Sequence, residues 1–199
     1  MKQYLFFALN LLLALEGTSQ AKGDYMWQIG QNSHPQENPY ALSMVLDFNV
    51  LGINLDTFYR GMKMGYFNAS ISDVDGKLLV YSNGCQIKNG DHSNIPETMS
   101  LSPGETDFEW CLSNPSSGYP KFEGGLFISF FSDSIILLLH QRDYVLSNPT
   151  RIITDSLFYS SVQRDGDQYV LHEKTVPIVG DNLTDGNVEA VKASKPGAW

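Results

Sequence analysis

The sequence predicts an all-β protein, and three observations support this prediction. Pairs of apolar segments are separated by short turns centred near residues 75, 133 and 165. Aromatic residues are abundant, with 11 Phe, 10 Tyr and 3 Trp, and large aromatic side chains favour packed strands. Beyond the first residues, no segment combines a 3.6-residue apolar period with helix caps. Successive hairpins without helices leave sandwiches, barrels and propellers as candidate folds.

The clearest hairpin signal lies in residues 68–84, where two short apolar-alternating segments flank Asp-Val-Asp-Gly. We predict Asp75 and Gly76 as the central turn residues, because both types tolerate positive φ. The resulting register places Ile71 opposite Val80 and Ala69 opposite Ser82, with Leu79 and Tyr81 on the other face. Apolar side chains on both faces predict that this sheet is stacked between neighbours.

The remaining strands are predicted from apolar alternation. Residues 41–48 form one strand with Met44, Leu46 and Phe48 on one face, and residues 58–67 hold a second. Residues 86–124 are polar, rich in Gly and Pro, and predicted to form a long loop that aromatic side chains dock onto the core. The predicted docking residues are Phe108, Trp110, Tyr119 and Phe122. Further strands are predicted at residues 125–131, 135–140, 157–163 and 169–174.

The first 21 residues are predicted to be a signal peptide. Lys2 gives the N-terminal region a positive charge, and residues 4–15 are apolar apart from Asn10. Ser19-Gln-Ala21 resembles a signal-peptidase cleavage site. About a dozen apolar residues are too few to span a bilayer as a helix. We therefore expect residues 22–199 to form an exported mature chain, secreted or at the cell surface, with no membrane span.

Cys85 and Cys111 are the two cysteines, and both lie in the exported part. In an oxidising compartment a disulfide between them is the favoured interpretation, and it would close the long polar segment. Two free thiols are the alternative. A metal site is not predicted, because His92 is the one further ligand nearby in sequence.

No catalytic residue, metal or cofactor is predicted. The four histidines, at positions 34, 92, 140 and 172, show no metal-ligand spacing, and the latter two are interpreted as structural. Nucleophile-elbow, phosphate-loop and dinucleotide motifs are absent. Asp73 and Asp75 begin like a calcium loop but lack its later ligands, so a turn is the better interpretation. The acids of the long loop are interpreted as solvated.

The charge balance excludes one class of partner. With 13 basic against 22 acidic residues, the chain has a net charge of -9. Phosphate backbones require a Lys/Arg surface, so nucleic acid is not an expected partner.

Several segments, in order, resemble the N-terminal part of a family of secreted Bacteroidetes proteins with β-propeller repeats. They are Met44-Val-Leu-Asp-Phe-Asn49, residues 64–84 with Asn-Ala-Ser-Ile and Tyr-Ser-Asn-Gly-Cys, Asn89-Gly-Asp91, Ser132-Asp-Ser-Ile-Ile-Leu-Leu-Leu-His140, Leu157-Phe-Tyr-Ser160 and Val188-Glu-Ala-Val191. In that family such a domain precedes a C-terminal sorting signal for type IX secretion. The family's next strand resembles His-Ala-Asn-Gly-Arg-Asp-Trp-Trp, whereas here the sequence reads Lys192-Ala-Ser-Lys-Pro-Gly-Ala-Trp199.

The resemblance implies that residues 22–199 are the N-terminal portion of a β-propeller, about two to three blades of antiparallel strands. We expect the remaining blades to belong to a longer chain. The expected function is an exported, non-catalytic interaction or scaffold protein with a surface glycan or protein partner. Trp110 and Tyr119 are the candidate binding residues, as exposed aromatic side chains. The alternative is a propeller-type hydrolase or lyase whose catalytic residues lie partly in the missing blades.

Overall fold

The computed structural model describes residues 25–30, 43–49, 52–58, 61–113, 118–121, 124–130, 133–147 and 150–183. The predicted signal peptide, Phe122 and the segment from 184 to Trp199 lie outside the described residues. In the described ranges, no helix is long and apolar enough to cross a membrane.

The all-β prediction is confirmed: the described strands form three antiparallel sheets, none of them closed. Sheet A contains β1 (Met26–Gly30), β2 (Ser43–Asp47) and β3 (Asn54–Phe58). Sheet B contains β4 (Ala69–Ser72), β5 (Leu78–Ser82) and β6 (Ile87–Asn89). Sheet C contains β7 (Gly125–Phe130), β8 (Ile135–Ser147), β9 (Thr150–Asp165) and β10 (Gln168–Leu183). In each sheet the spatial order of the strands follows the chain.

The three sheets are stacked face to face in chain order. Between sheets A and B, Met26 packs on a buried cluster that includes Met64 and Tyr81. Between sheets B and C lies the larger core, in which Val80 of β5 joins Leu138 of β8. The other members from these two sheets are Ala69, Ile71, Leu79, Ile87, Phe127, Ile136, Val162 and Tyr169. Sheet B is therefore covered on both faces, as its two-sided apolar pattern predicted, but Leu79 packs in the core of Val80 and not in the cluster of Tyr81, because it is the extra residue of a bulge.

The first strands of the three sheets lie side by side, with β4 between β1 and β7. Ser70 Oγ of β4 donates to the Met26 carbonyl of β1 at 2.9 Å. The last strands, β3 and β10, lie at the opposite edges of their sheets and are largely exposed. The stack therefore has an inner edge made of first strands and an outer edge made of last strands.

The predicted register of the first hairpin is confirmed, since Ile71 pairs with Val80 and Ala69 with Ser82. The turn itself is one residue longer than predicted. The amide of Gly76 donates to the Asp73 carbonyl at 3.0 Å, so Val74 and Asp75 are the central residues. Gly76 follows at a φ of 87°, and a bulge between Ile71 and Ser72 absorbs the extra residue.

Gly76→Ala is expected to lower the free energy of unfolding by about 3 kcal/mol, because positive φ is costly for alanine. A Cβ at this position would also overlap Oδ1 of Asn49, whose Nδ2 donates to the Gly76 carbonyl at 2.9 Å. Gly166→Ala is the matched control, with a φ of 61° and no atom within 4 Å of the added Cβ. Its cost is expected near 1 kcal/mol. Equal costs in urea unfolding would show that the Asn49 contact has no effect.

Some predicted elements are wrong in position. In the described part of residues 58–67, Phe58 ends β3 and Met64 forms a bridge to Gly30, but no further strand is present; the strand forms earlier than predicted, at β3. β1 was not predicted, since its five residues mix polar and apolar side chains without alternation. Strands β8 to β10 extend well beyond their predicted ends, because they pair along most of their length.

The segment predicted as a structureless loop contains β6 and a short helical segment, residues 105–112. The latter begins as α1 (Glu105–Asp107) and continues as a π-helical turn (Phe108–Leu112). The predicted disulfide between Cys85 and Cys111 is present and buried in the larger core. It joins the helical segment to the loop that follows β5.

Candidate functional site

The helical segment (residues 105–112) is anchored to the core on one side. Cys111 is fully buried and bonded to Cys85, with a Cα–Cα distance of 5.2 Å. Asp107 is 1% exposed, and its Oδ2 accepts a hydrogen bond from Ser100 Oγ at 2.5 Å. Burial raises the pKa of the Asp107 carboxyl, because desolvation disfavours the charged form. The backbone of this segment is thus held by a covalent bond and by buried side chains.

The segment also exposes three large apolar side chains to solvent. Phe108, Trp110 and Leu112 are 60%, 38% and 49% exposed. Glu105 and Glu109 of the same segment are also exposed. The prediction that Phe108 docks onto the core is wrong, because the side chain is 60% exposed and Cys111 and Asp107 occupy the inward positions. Trp110 is covered over most of its surface but is not among the buried core residues. The prediction that Trp110 is an exposed aromatic residue fits the structure, while its role in binding stays a prediction.

Tyr119 is buried, which confirms the prediction that it docks onto the core; the prediction that it is an exposed binding residue is wrong. The side chain is 1% exposed and belongs to the larger core. Its hydroxyl accepts a hydrogen bond from the Asp143 amide at 2.8 Å. Burial raises the pKa of Tyr119, so the hydroxyl keeps its proton. Tyr119 fixes the chain that follows the helical segment to β8.

A buried ion pair lies next to this tyrosine. Lys121 Nζ is 3.5 Å from Asp143 Oδ1, and the two side chains are 8% and 3% exposed. Thr154 of β9 bridges them: its hydroxyl accepts from Lys121 Nζ at 3.0 Å and donates to Asp143 Oδ1 at 2.7 Å. This cluster ties the 118–121 segment to two strands of sheet C.

His140 lies in the middle of β8 and is fully buried. Its Nδ1 is 2.9 Å from Ser102 Oγ, and its Nε2 is 3.0 Å from Ser160 Oγ. Both ring nitrogens therefore have a hydroxyl partner. Burial lowers the pKa of His140 to about 3, so the ring is neutral at pH 7.

The Ser102–His140 pair differs from a hydrolytic Ser–His–Asp triad. In a triad the acid orients the second ring nitrogen of the histidine, but here that nitrogen faces Ser160. The nearby acid, Asp107, instead accepts from the backbone N–H of Ser102. Ser102 and Ser160 are as buried as His140, so a substrate has no path to either hydroxyl. The geometry suits a structural link between the 101–107 segment and sheet C.

Acid is expected to destabilise the fold through His140. In the unfolded chain the pKa is near 6.5, so between pH 6.5 and 3 the unfolded state binds one more proton. The contribution of the neutral ring to the free energy of unfolding is fully present above pH 6.5 and is lost as the pH falls towards 3. The total loss is about 4–5 kcal/mol.

Urea unfolding at pH 7 and pH 4.5 measures this effect. His140→Gln is expected to remove most of the difference in unfolding free energy between the two pH values. The lowered pKa values of Asp91 and Asp155, caused chiefly by hydrogen bonds from Ser93 and Arg142, add acid sensitivity at lower pH. A His140→Gln variant that keeps the full pH difference would contradict the assignment to His140.

The other side chains considered as metal ligands either bond to groups of the fold or lie far from further ligands. Asp73 Oδ1 accepts from the amides of Asp75 and Lys77 at 3.0 and 2.9 Å, which is turn geometry. His92 contacts the hydroxyl of Tyr81 at 3.0 Å, and His172 is exposed on β10. Across the described ranges, no group of three or more His, Cys, Asp or Glu side chains is arranged to hold a metal ion.

A cleft of about 390 Å³ lies where the inner strands of the three sheets meet. Trp27 and Ile29 come from β1, Asn68 precedes β4, and Leu126 and Phe127 come from β7. No carboxylate or histidine is among the residues lining it. The cleft therefore offers no acid–base pair to the hydrolase or lyase alternative, which stays a prediction.

Comparison with known proteins gives no match for this chain. No protein-family model, curated protein or solved structure matches it significantly. The assignment of function therefore depends on the geometry described above.

Proposed function

We propose that this chain is an exported, non-catalytic interaction protein whose β-scaffold presents the helical segment to a glycan on a cell surface. One observation carries the proposal. Phe108, Trp110 and Leu112 face solvent from a segment whose backbone is fixed by the Cys85–Cys111 disulfide. Exposing large apolar side chains costs solvation free energy, and rigid aromatic side chains are the usual centres of binding surfaces.

The composition of this surface suits a sugar. The face of an indole ring packs well against the C–H groups of a pyranose, and Trp110 is 38% exposed. The exposed carboxylates of Glu105 and Glu109 in the same segment can accept hydrogen bonds from sugar hydroxyls. A few polar groups around an aromatic platform give orientation and specificity to such a site.

The anchoring of the segment supports binding for a second reason. A loop that must be ordered on binding loses affinity through the entropy of ordering. Here the disulfide and the buried Asp107 hold the backbone before a ligand arrives. We infer that this preorganisation is the role of the disulfide in function.

Export and a propeller-like arrangement form part of the same proposal. The apolar leader predicted at residues 1–21 and the disulfide both fit an oxidising, extracytoplasmic compartment. Propeller blades are antiparallel sheets placed side by side around a channel, each with its first strand innermost. Face-to-face sheets with neighbouring first strands support this interpretation.

Trp110→Ala is expected to weaken binding to a glycan panel at least about tenfold, since aromatic anchors contribute most at such surfaces. The variant should stay folded and lose less free energy of unfolding than the about 3–5 kcal/mol typical of a core Trp→Ala change, because the indole is 38% exposed. The assay is a panel of immobilised bacterial and host polysaccharides, read with labelled chain.

Tyr66→Ala is the matched control, since Tyr66 is 50% exposed outside the helical segment; it should leave binding unchanged. Wild-type chain that binds no glycan, or a Tyr66→Ala variant as weak as Trp110→Ala, would overturn the proposal. Parallel loss of binding and stability in Trp110→Ala would instead assign the indole to the fold.

A further inference from the structure

Strand β10 contains a bulge close to the loop that precedes the helical segment. Its pairing with β9 is interrupted between Glu173 and Val176. Across this interruption two residues of β10, Lys174 and Thr175, face a single residue of β9, Ser160. This two-against-one count defines a β-bulge, which bends a strand and changes the direction of its side chains.

The bulge directs two consecutive side chains to the same loop. In a regular strand, successive side chains point to opposite faces of the sheet. Here Lys174 Nζ donates to the Met99 carbonyl, and Thr175 Oγ1 donates to the Leu101 carbonyl at 2.9 Å. Both carbonyls belong to residues 97–104, which we call the entry loop because it leads into the helical segment. The bulge therefore holds the entry loop at two points.

The backbone is strained on both sides of this contact. Thr175 has a φ of 54°, which is an outlier for a β-branched residue because its Cβ crowds the backbone. In the entry loop, Glu97 and Ser100 have φ values of 65° and 60°. Strained conformations persist where the surrounding structure over-determines them, and they cluster at functional positions. The contact between the bulge and the entry loop is therefore a candidate for a functional constraint.

The amide of Thr175 also begins a chain of hydrogen bonds through sheet C. It donates to Ser160 Oγ at 3.0 Å, and Ser160 Oγ is 3.0 Å from His140 Nε2. On the other side of the ring, His140 Nδ1 is 2.9 Å from Ser102 Oγ. The Ser102 hydroxyl donates to the Gln141 carbonyl at 2.9 Å. The chain joins the bulge to Ser102 of the entry loop.

Counting the protons assigns a direction to this chain. Ser102 Oγ gives its one proton to the Gln141 carbonyl, so it accepts from the Nδ1–H of His140. The lone pair of Nε2 then accepts the proton of Ser160 Oγ, which itself accepts from the Thr175 amide. With the opposite tautomer, the Ser160 proton would have no acceptor among these partners. We therefore assign the His140 proton to Nδ1, the tautomer that satisfies every donor in the chain.

The entry loop shares a buried carboxylate with the helical segment. Ser100 Oγ donates to Asp107 Oδ2 at 2.5 Å, and the backbone N–H of Ser102 donates to the same carboxyl group. A shift of the entry loop would therefore move the segment that presents Trp110.

We propose that Thr175 is a positioning residue for the surface of the helical segment, because its bulge fixes the entry loop and the entry loop fixes the start of the segment. The disulfide holds the segment near its end, at Cys111. One anchor leaves the segment free to pivot, whereas a second anchor at its start also fixes its orientation. This inference deepens the proposed function and rests on it for the effect on binding.

Hydrogen exchange of the free chain tests the proposal with Thr175→Val. Valine keeps the β-branched shape and the strained φ, but it lacks the hydroxyl that donates to Leu101. Exchange of residues 97–112 is expected to accelerate at least about tenfold, while exchange of β4 and β5 stays unchanged. Glycan binding is expected to weaken at least about threefold, since the segment must then be oriented on binding.

Two further variants make the test specific. Thr175→Ser keeps the hydroxyl and is expected to restore both slow exchange and glycan binding. Thr57→Val removes a hydroxyl from an exposed position of β3 and is expected to change neither. In addition, ring nitrogen-15 shifts of His140 are expected to show the proton on Nδ1 in wild-type chain at neutral pH.

Three results would overturn the proposal. They are unchanged exchange of residues 97–112 in Thr175→Val, acceleration that extends equally to β4 and β5, and a Thr175→Ser variant as fast as Thr175→Val. A proton on Nε2 of His140 would overturn the hydrogen-bond chain on which the proposal draws. Wild-type chain that binds no glycan, with exchange accelerated locally in Thr175→Val, overturns the proposed function and supports the positioning role of Thr175.

Discussion

Lys121→Met is expected to lower the free energy of unfolding by about 3–5 kcal/mol, because it leaves a buried carboxylate without its cation. Lys121 Nζ and Asp143 Oδ1 are 3.5 Å apart, with both side chains under a tenth exposed. Methionine keeps most of the lysine stem, so the loss reports the charge rather than a cavity. Urea unfolding followed by far-ultraviolet circular dichroism measures it.

A triple variant distinguishes the destabilisation caused by an unpaired buried charge from the net contribution of the ion pair to the free energy of unfolding. Lys121→Met with Asp143→Leu and Thr154→Val replaces the two ions and the bridging hydroxyl by apolar groups of similar size. Buried ion pairs replaced in this way are often neutral or more stable, so most of the lost stability should return. A triple variant as unstable as Lys121→Met would contradict this account of the cluster.

Removal of the disulfide is also expected to cause a large loss of unfolding free energy. Cys85→Ala with Cys111→Ala should lower the free energy of unfolding by about 3.5 kcal/mol, from the closure entropy of the loop between them. The two residues are 26 apart in sequence, and both side chains lie in the larger core. Wild-type chain unfolded with and without reductant provides the parallel measurement.

The local consequence of this removal is as informative as the global one. Hydrogen exchange of residues 105–113 is expected to accelerate more than that of β5 and β8, because the helical segment loses its covalent anchor. Glycan binding should weaken even under conditions where the fold persists, since the segment must then be ordered on binding. Exchange that rises uniformly across the chain would contradict a specific role in anchoring the segment.

The hairpin at residues 68–84 was predictable because local chemistry and tertiary packing agree there. Turn residues and apolar alternation together define the pairing of Ile71 with Val80, and the structure has that pairing. The extra turn residue was not predictable from alternation. It depends on Asp73, whose carboxylate accepts from two backbone amides, and on the contact of Gly76 with Asn49, which follows β2.

The helical segment was beyond prediction from local patterns. Its inward positions are occupied by Thr106, Asp107 and Cys111, so the segment has no apolar period, and Gly104 before it makes no side-chain cap. Tertiary interactions stabilise it: a disulfide and a buried carboxylate. The same cause explains why Tyr119 is docked on the core and is not an exposed binding residue: its hydroxyl accepts from the amide of Asp143, 24 residues away. The one sequence signal for the candidate site was Trp110 next to a cysteine.

The most direct test of the central claim is to measure glycan binding and unfolding free energy on the same preparation of Trp110→Ala. The account predicts at least a tenfold loss of binding in a variant that stays folded, with a loss of unfolding free energy below the about 3–5 kcal/mol of a core Trp→Ala change. A variant that binds as wild type, or one that loses stability in proportion to binding, would contradict the claim that the disulfide holds this surface for a partner.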